Sequence, residues 1–85
     1  MYVYILYADC MNTQQETKQL IAFGKRLAEV RKSRGLTQQA LAEKLDISLV
    51  SIGYIETGKR WPRLATLHRI AKCLNVPVGD FFKGL

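Results

Sequence analysis

The sequence predicts an all-α domain, and three observations carry that expectation. Apolar residues recur at three- and four-residue spacing along most of the chain. The periodic stretches are bounded by residues suited to helix ends, Thr37 and Ser48 before two of them, Gly35 and Gly58 after two of them. The intervals between stretches are as short as those of a compact bundle. With 85 residues there is material for one small domain. Such a chain buries a modest fraction of its surface, which favours short loops or dimerisation.

Taken in order, the chain divides into an N-terminal extension (1–11) and a helical domain (12–85). The extension, MYVYILYADC and Met11, is rich in Tyr, Val and Ile and suits a β-strand. A lone strand needs a partner. The natural one is the same strand of a second copy, forming an antiparallel ribbon across a two-fold axis. An extra helical turn, a frayed end, or a biological start at Met11 are the other readings.

Asn12 and Thr13 then offer capping oxygens, and Thr13-Gln14-Gln15-Glu16 fits a capping box. The first helix is predicted to run to about Arg34, with Leu20, Phe23, Leu27 and Val30 as its core stripe and Gly24 as a weak point or a place of close helix approach. Thr37 caps a second helix over 38–45, with Leu41, Ala42 and Leu45 inward. Ser48 caps a third over 49–56, with Ile52 and Ile55 inward. A basic loop, Lys59-Arg60-Trp61-Pro62-Arg63, leads to a fourth helix carrying Leu64, Leu67, Ile70, Ala71 and Leu74. After Pro77, Val78, Phe81 and Phe82 close the core from below. No repeat, low-complexity tract or linker interrupts the pattern.

Charge narrows the partners. Thirteen Lys and Arg stand against seven Asp and Glu. Residues 1–17 hold two acids and no base, so 18–85 hold all thirteen bases and five acids, a net charge of +8. A small basic domain attracts polyanions, most often nucleic acid. Cys10 and Cys73 form neither a disulfide framework nor a metal-ligand spacing, which points to a reducing, cytoplasmic setting. His68 is the single histidine and has no ligand or base partner nearby, so no metal or catalytic centre is expected. No run approaches the ~18 apolar residues of a membrane span. The N-terminus lacks the basic region of a signal peptide. Neither a phosphate-cradling glycine loop nor a nucleophile–base pair is present, which argues against an enzyme.

The stretch 38–57 has the requirements of two short helices meeting through a tight turn. A small residue, Ala42, stands where the helices nearly touch. Asp46 tolerates left-handed geometry, Ile47 supplies an apolar plug, and Ser48 caps. With Ile52 and Ile55 anchored inward, Leu49, Val50, Gly53 and Tyr54 lie on the opposite face of the second helix, near the end that enters a DNA major groove in units of this kind.

These residues carry a resemblance. Gly35-Leu36-Thr37-Gln38, Leu41-Ala42-Glu43-Lys44-Leu45, Ile52 with Ile55-Glu56, Gly58-Lys59, Pro62, Ile70-Ala71-Lys72 and Val76 look like the phage repressor/Cro (XRE-type) helix-turn-helix family over roughly residues 23 to 82. The resemblance implies a compact five-helix repressor-like DNA-binding domain, dimeric on a partly palindromic operator in double-stranded DNA. It places Leu49, Val50 and Tyr54 in base-reading positions, where Gly53 brings no side chain; Ser51 and Gln39 flank them. It places Gln38 on a backbone phosphate, a contact reinforced by the free N–H groups at that helix end. Lys59, Arg60 and Arg63 match the loop that neutralises phosphates. Arg31 and Glu56 match a pair tying the first helix to the third, with Arg31 also able to face a phosphate. No cofactor or small-molecule ligand is implied.

The chain departs from the family pattern at four places. Asp46 replaces a usual Gly. Arg63 stands where a Ser or Thr cap is common, and Pro77 where a Ser cap is usual. Leu49 and Val50 replace Gln, Arg or Ser. Apolar side chains make no bidentate hydrogen bonds but do pack on thymine methyls, so specificity is expected from methyl contacts, from Tyr54, Ser51 and Gln39, and from DNA shape. A competing reading turns Leu49 and Val50 toward a protein or the fourth helix. The expected function is a sequence-specific transcriptional regulator, repressor-like and dimeric. Alternatives are the controller protein of a restriction-modification system, the antitoxin of a toxin–antitoxin pair, and an interaction module that kept the fold without DNA binding.

Overall fold

The computed structural model describes residues 13–83 and shows, among these, helices and no strand. They are α1 (Thr13–Ser33), α2 (Gln38–Leu45), α3 (Leu49–Glu56) and α4 (Leu64–Leu74), followed by a 3₁₀ turn over Val78–Phe82. The fifth helix is thus a single tight turn, entered from Pro77 at φ −64°. The strand expected within 1–11 and the capping role of Asn12 and Thr13 lie outside the described residues and side chains.

Capping explains where α2 and α3 begin. Thr37 and Ser48 are extended, and their hydroxyls accept from the N–H groups of Ala40 and Ser51, both at 3.0 Å. All four helices end the same way. Gly35, Asp46, Gly58 and Asn75 take left-handed backbone at φ 73°, 57°, 75° and 59°. In each case the following N–H reaches five residues back: Leu36 to Arg31, Ile47 to Ala42, Lys59 to Tyr54, Val76 to Ala71. This is the Schellman motif, whose residue after the left-handed one is usually apolar. Leu36, Ile47 and Val76 follow that rule and pack on the core. Lys59 breaks it and is exposed.

The core joins Phe23 and Leu27 of α1, Leu41, Ala42 and Leu45 of α2, Ile52 and Ile55 of α3, Leu67, Ile70, Ala71 and Leu74 of α4, and Phe81. Phe23 is its aromatic hub, with ring centroids 5.3 Å from Trp61, 5.8 Å from Phe81 and 5.4 Å from Phe82. Two expectations need correction. Leu64 is 69% exposed, because the first turn of α4 projects beyond the core. Phe82 lies over Phe23 as a partly exposed lid, while Phe81 alone is fully buried.

Close approach of α1 to α3 depends on Gly24. A Cβ there would stand 2.5 Å from the Ile55 carbonyl oxygen and 2.6 Å from that of Glu56. Much of the basic excess is also structural. Arg34 donates to the Leu74 carbonyl at 2.8 Å, Arg26 to that of Asp80 at 3.2 Å, and Arg69 to that of Leu45. Arginines at the C-terminal ends of α2 and α4 satisfy carbonyls that a helix leaves open, and complement its dipole.

Candidate nucleic-acid interface

Residues 38–56 form the helix, turn and helix expected of them. Ala42 is buried between α2 and its neighbours, Asp46 occupies the left-handed position, and Ile47 packs on the core. Ile52 and Ile55 pin α3 from below. Leu49, Val50 and Tyr54 are then 44%, 60% and 45% exposed, and a side chain added at Gly53 would meet nothing within 4 Å. The reading in which Leu49 and Val50 pack on α4 finds no support in this exposure. Ser51 lies half-buried at the edge of the face. Gln39 is exposed on α2, its amide donating to Glu43 at 3.2 Å.

Beneath this face sits a buried polar knot. The Arg31 guanidinium grips the Glu56 carboxylate with two hydrogen bonds, Nε to Oε2 at 2.7 Å and Nη2 to Oε1 at 3.1 Å. Its Nη1 donates to the Leu36 carbonyl at 2.7 Å. The Gln38 side-chain amide donates to Glu56 Oε1 at 2.9 Å. Both charged side chains are almost wholly enclosed, at 8% and 5% exposure. Of the two roles expected of Arg31, the structure shows the pairing. A guanidinium so enclosed has little left to offer a phosphate. Gln38 is likewise oriented from within, half-buried at the start of α2. Its backbone N–H and that of Gln39 precede the capped Ala40 N–H and have no intrahelical partner.

The loop after α3 places three accessible positive charges beside this face. Lys59, Arg60 and Arg63 are exposed. Trp61 between them turns inward onto Phe23 and ties the loop to the core; a large apolar side chain among basic neighbours signals such an inward turn, though not its partner. Arg63 precedes α4 with extended backbone and no side-chain cap, as its residue type implies. A cleft of about 460 Å³ separates the loop from α3, with Ser51, Arg60, Arg63 and Thr66 on its walls and Ile47 and Ile55 on its floor. Arg60 crosses this cleft. Its Nη2 meets Ser51 Oγ at 3.1 Å, and its guanidinium carbon lies 5.4 Å from the Tyr54 ring centroid.

Comparison with known proteins decides the family. A helix-turn-helix family model matches residues 27–81, from the middle of α1 to the 3₁₀ turn. This chain belongs to the XRE-type helix-turn-helix family. Among its relatives, the HTH-type transcriptional regulator PuuR of Escherichia coli is 36% identical over 62 residues, 73% of this chain and 34% of PuuR. The transcriptional activator BcrR of Enterococcus faecalis is 34% identical over 62 residues, 73% of this chain and 30% of BcrR. This chain therefore spans about a third of the length of both. Among solved structures, the restriction-modification controller protein C.AhdI of Aeromonas hydrophila superposes with a TM-score of 0.71 at 32% identity, covering 74% of this chain and 96% of the controller. The DNA-binding domain of BldD gives 0.69 at 25% identity, covering 78% and 96%. The chain thus belongs to a family of DNA-binding transcriptional regulators.

Proposed function

We propose that this XRE-type protein binds double-stranded DNA in a sequence-dependent manner as a homodimer, and represses or otherwise regulates transcription from a two-fold symmetric operator. The observation that carries the reading is the pairing of an unpacked outer face on α3 with an exposed basic loop directly after it. In this arrangement α3 lies in the major groove. Lys59 and Arg63, the side chain of Gln38 and the open N–H groups at the start of α2 hold the flanking phosphates. Leu49 and Val50 press on thymine methyls. Dimerisation supplies the second half-site, because one eight-residue recognition helix reads only a few base pairs.

A controller role in a restriction-modification system is the second reading, supported by the likeness to C.AhdI along nearly all of that protein's length. The test of DNA binding itself is a salt titration on duplex DNA. Phosphate contacts release counterions, so the logarithm of the binding constant falls linearly with that of salt, with a slope of about −0.9 per contact on B-DNA. A linear fall that becomes shallower in Lys59→Ala and Arg63→Ala supports the reading. Binding that ignores salt, or no binding at low salt, contradicts it.

A further inference from the structure

The outer face of α3 has an unusual deficiency. Leu49, Val50 and Gly53 occupy its centre and bring no hydrogen-bonding group. A guanidinium supplied from outside the helix stands at its edge. Ser51 and Tyr54 are neighbours at three-residue spacing along α3. Arg60, from the following loop, reaches back over both, hydrogen-bonded to Ser51 Oγ and with its guanidinium carbon over the Tyr54 ring, within cation–π range at 5.4 Å from the centroid. The backbone supports this return, since the Arg60 N–H donates to the Tyr54 carbonyl at 3.3 Å. Ser51 is itself fixed, its hydroxyl within 2.9 Å of the Ser48 hydroxyl.

We infer that Arg60 is a base-reading residue, a hydrogen-bonding fork that the loop lays along the recognition helix to read a guanine at the edge of the site. The inference rests on the DNA-binding reading above and assigns Arg60 a role different from that of Lys59 and Arg63. A phosphate contact needs only a mobile positive charge. A bidentate contact to the O6 and N7 atoms of guanine needs a planar fork held in a fixed orientation. A cation–π contact with the Tyr54 ring and one hydrogen bond to Ser51 restrict that orientation before DNA arrives, which lowers the entropy lost on binding. Ser51 Oγ takes one of the two Nη2 hydrogens, and the other, with its neighbour on Nη1 or Nε, forms the edge left for the base.

The experiment compares full-length wild type with Arg60→Lys, Arg60→Ala and Tyr54→Ala. Bound sequences are selected from random duplexes, and affinities are then measured for the selected site and for versions with each guanine replaced. Arg60→Lys keeps the charge and removes the fork, so the preference for guanine at one position per half-site falls about tenfold or more, with an unchanged salt slope. Tyr54→Ala erodes the same position, because the fork loses its platform. The inference is overturned if Arg60→Lys keeps the preference while Arg60→Ala weakens all sequences alike and reduces the salt slope by about one, the signature of a phosphate contact. Absence of any enriched sequence with wild-type protein overturns the DNA-binding reading and this inference with it. Arg60 and Tyr54 are exposed, and an unchanged thermal midpoint confirms that each variant remains folded.

Discussion

Arg31 and Glu56 are joined by a bidentate, enclosed ion pair that bolts the end of α1 to the end of the recognition helix. The same carboxylate also takes the Gln38 amide from α2. One anion thus coordinates three helices. Among the described residues, no buried side-chain polar atom is left without a partner, so the pair meets the condition under which buried charge is tolerated.

Glu56→Ala or Arg31→Ala alone strands a buried charge and is expected to cost about 3–5 kcal/mol. The double replacement Arg31→Met with Glu56→Leu is expected to be less destabilised than either single alanine variant, because no uncompensated charge remains. Urea unfolding of the four proteins measures this. DNA affinity falls in the double variant even where it is folded, since Gln38 loses the carboxylate that orients it.

Gly24→Ala pits two effects against each other. Helix propensity alone favours alanine by about 1 kcal/mol. The new Cβ would lie 2.5 Å from the Ile55 carbonyl oxygen, a backbone atom that moves only if α3 moves. Overpacking of this kind costs about 1–3 kcal/mol, so the net effect is destabilising. A raised thermal midpoint in Gly24→Ala would show that α1 and α3 do not meet there.

Arg63→Asp is expected to separate stability from function. The position lacks a side-chain cap, and an N-cap aspartate contributes about 0.5–2 kcal/mol relative to a non-capping residue. The variant is therefore more resistant to urea. It also replaces a proposed phosphate contact with a negative charge, so its affinity for DNA falls and its salt slope becomes shallower. A simultaneous gain in both properties would remove Arg63 from the interface.

Much of this architecture was legible in one dimension. The bounds of α2 and α3 follow from Thr37 and Ser48 at one end and from Asp46 and Gly58 at the other, because capping is local chemistry. The pairing of Arg31 with Glu56 followed from the family resemblance. The uses of Arg34, Arg69 and Trp61 did not appear in the pattern. Arg34 reaches a carbonyl forty residues away, and Trp61 sits in a basic loop yet packs on Phe23. Spacing along the chain carries no information about such contacts. Arg60 is the most telling case. By sequence it belongs with Lys59 and Arg63, and only its rotamer, folded back across Tyr54, sets it apart.

Leu49→Ala tests whether the apolar face reads bases. Loss of a methyl contact is expected to relax preference at thymine positions while the salt slope stays as in wild type, because no phosphate contact changes. Equal loss of affinity for every sequence would show that Leu49 supports the helix and does not read DNA. Affinities on a panel of single-base variants at several salt concentrations distinguish the two.

The most direct test is selection of bound duplexes from a random pool by the full-length protein. Sequence-dependent binding by a dimer through α3 predicts an enriched, two-fold symmetric site with half-sites centred about one helical turn, or a multiple of it, apart. A pool that stays random through successive rounds would contradict it.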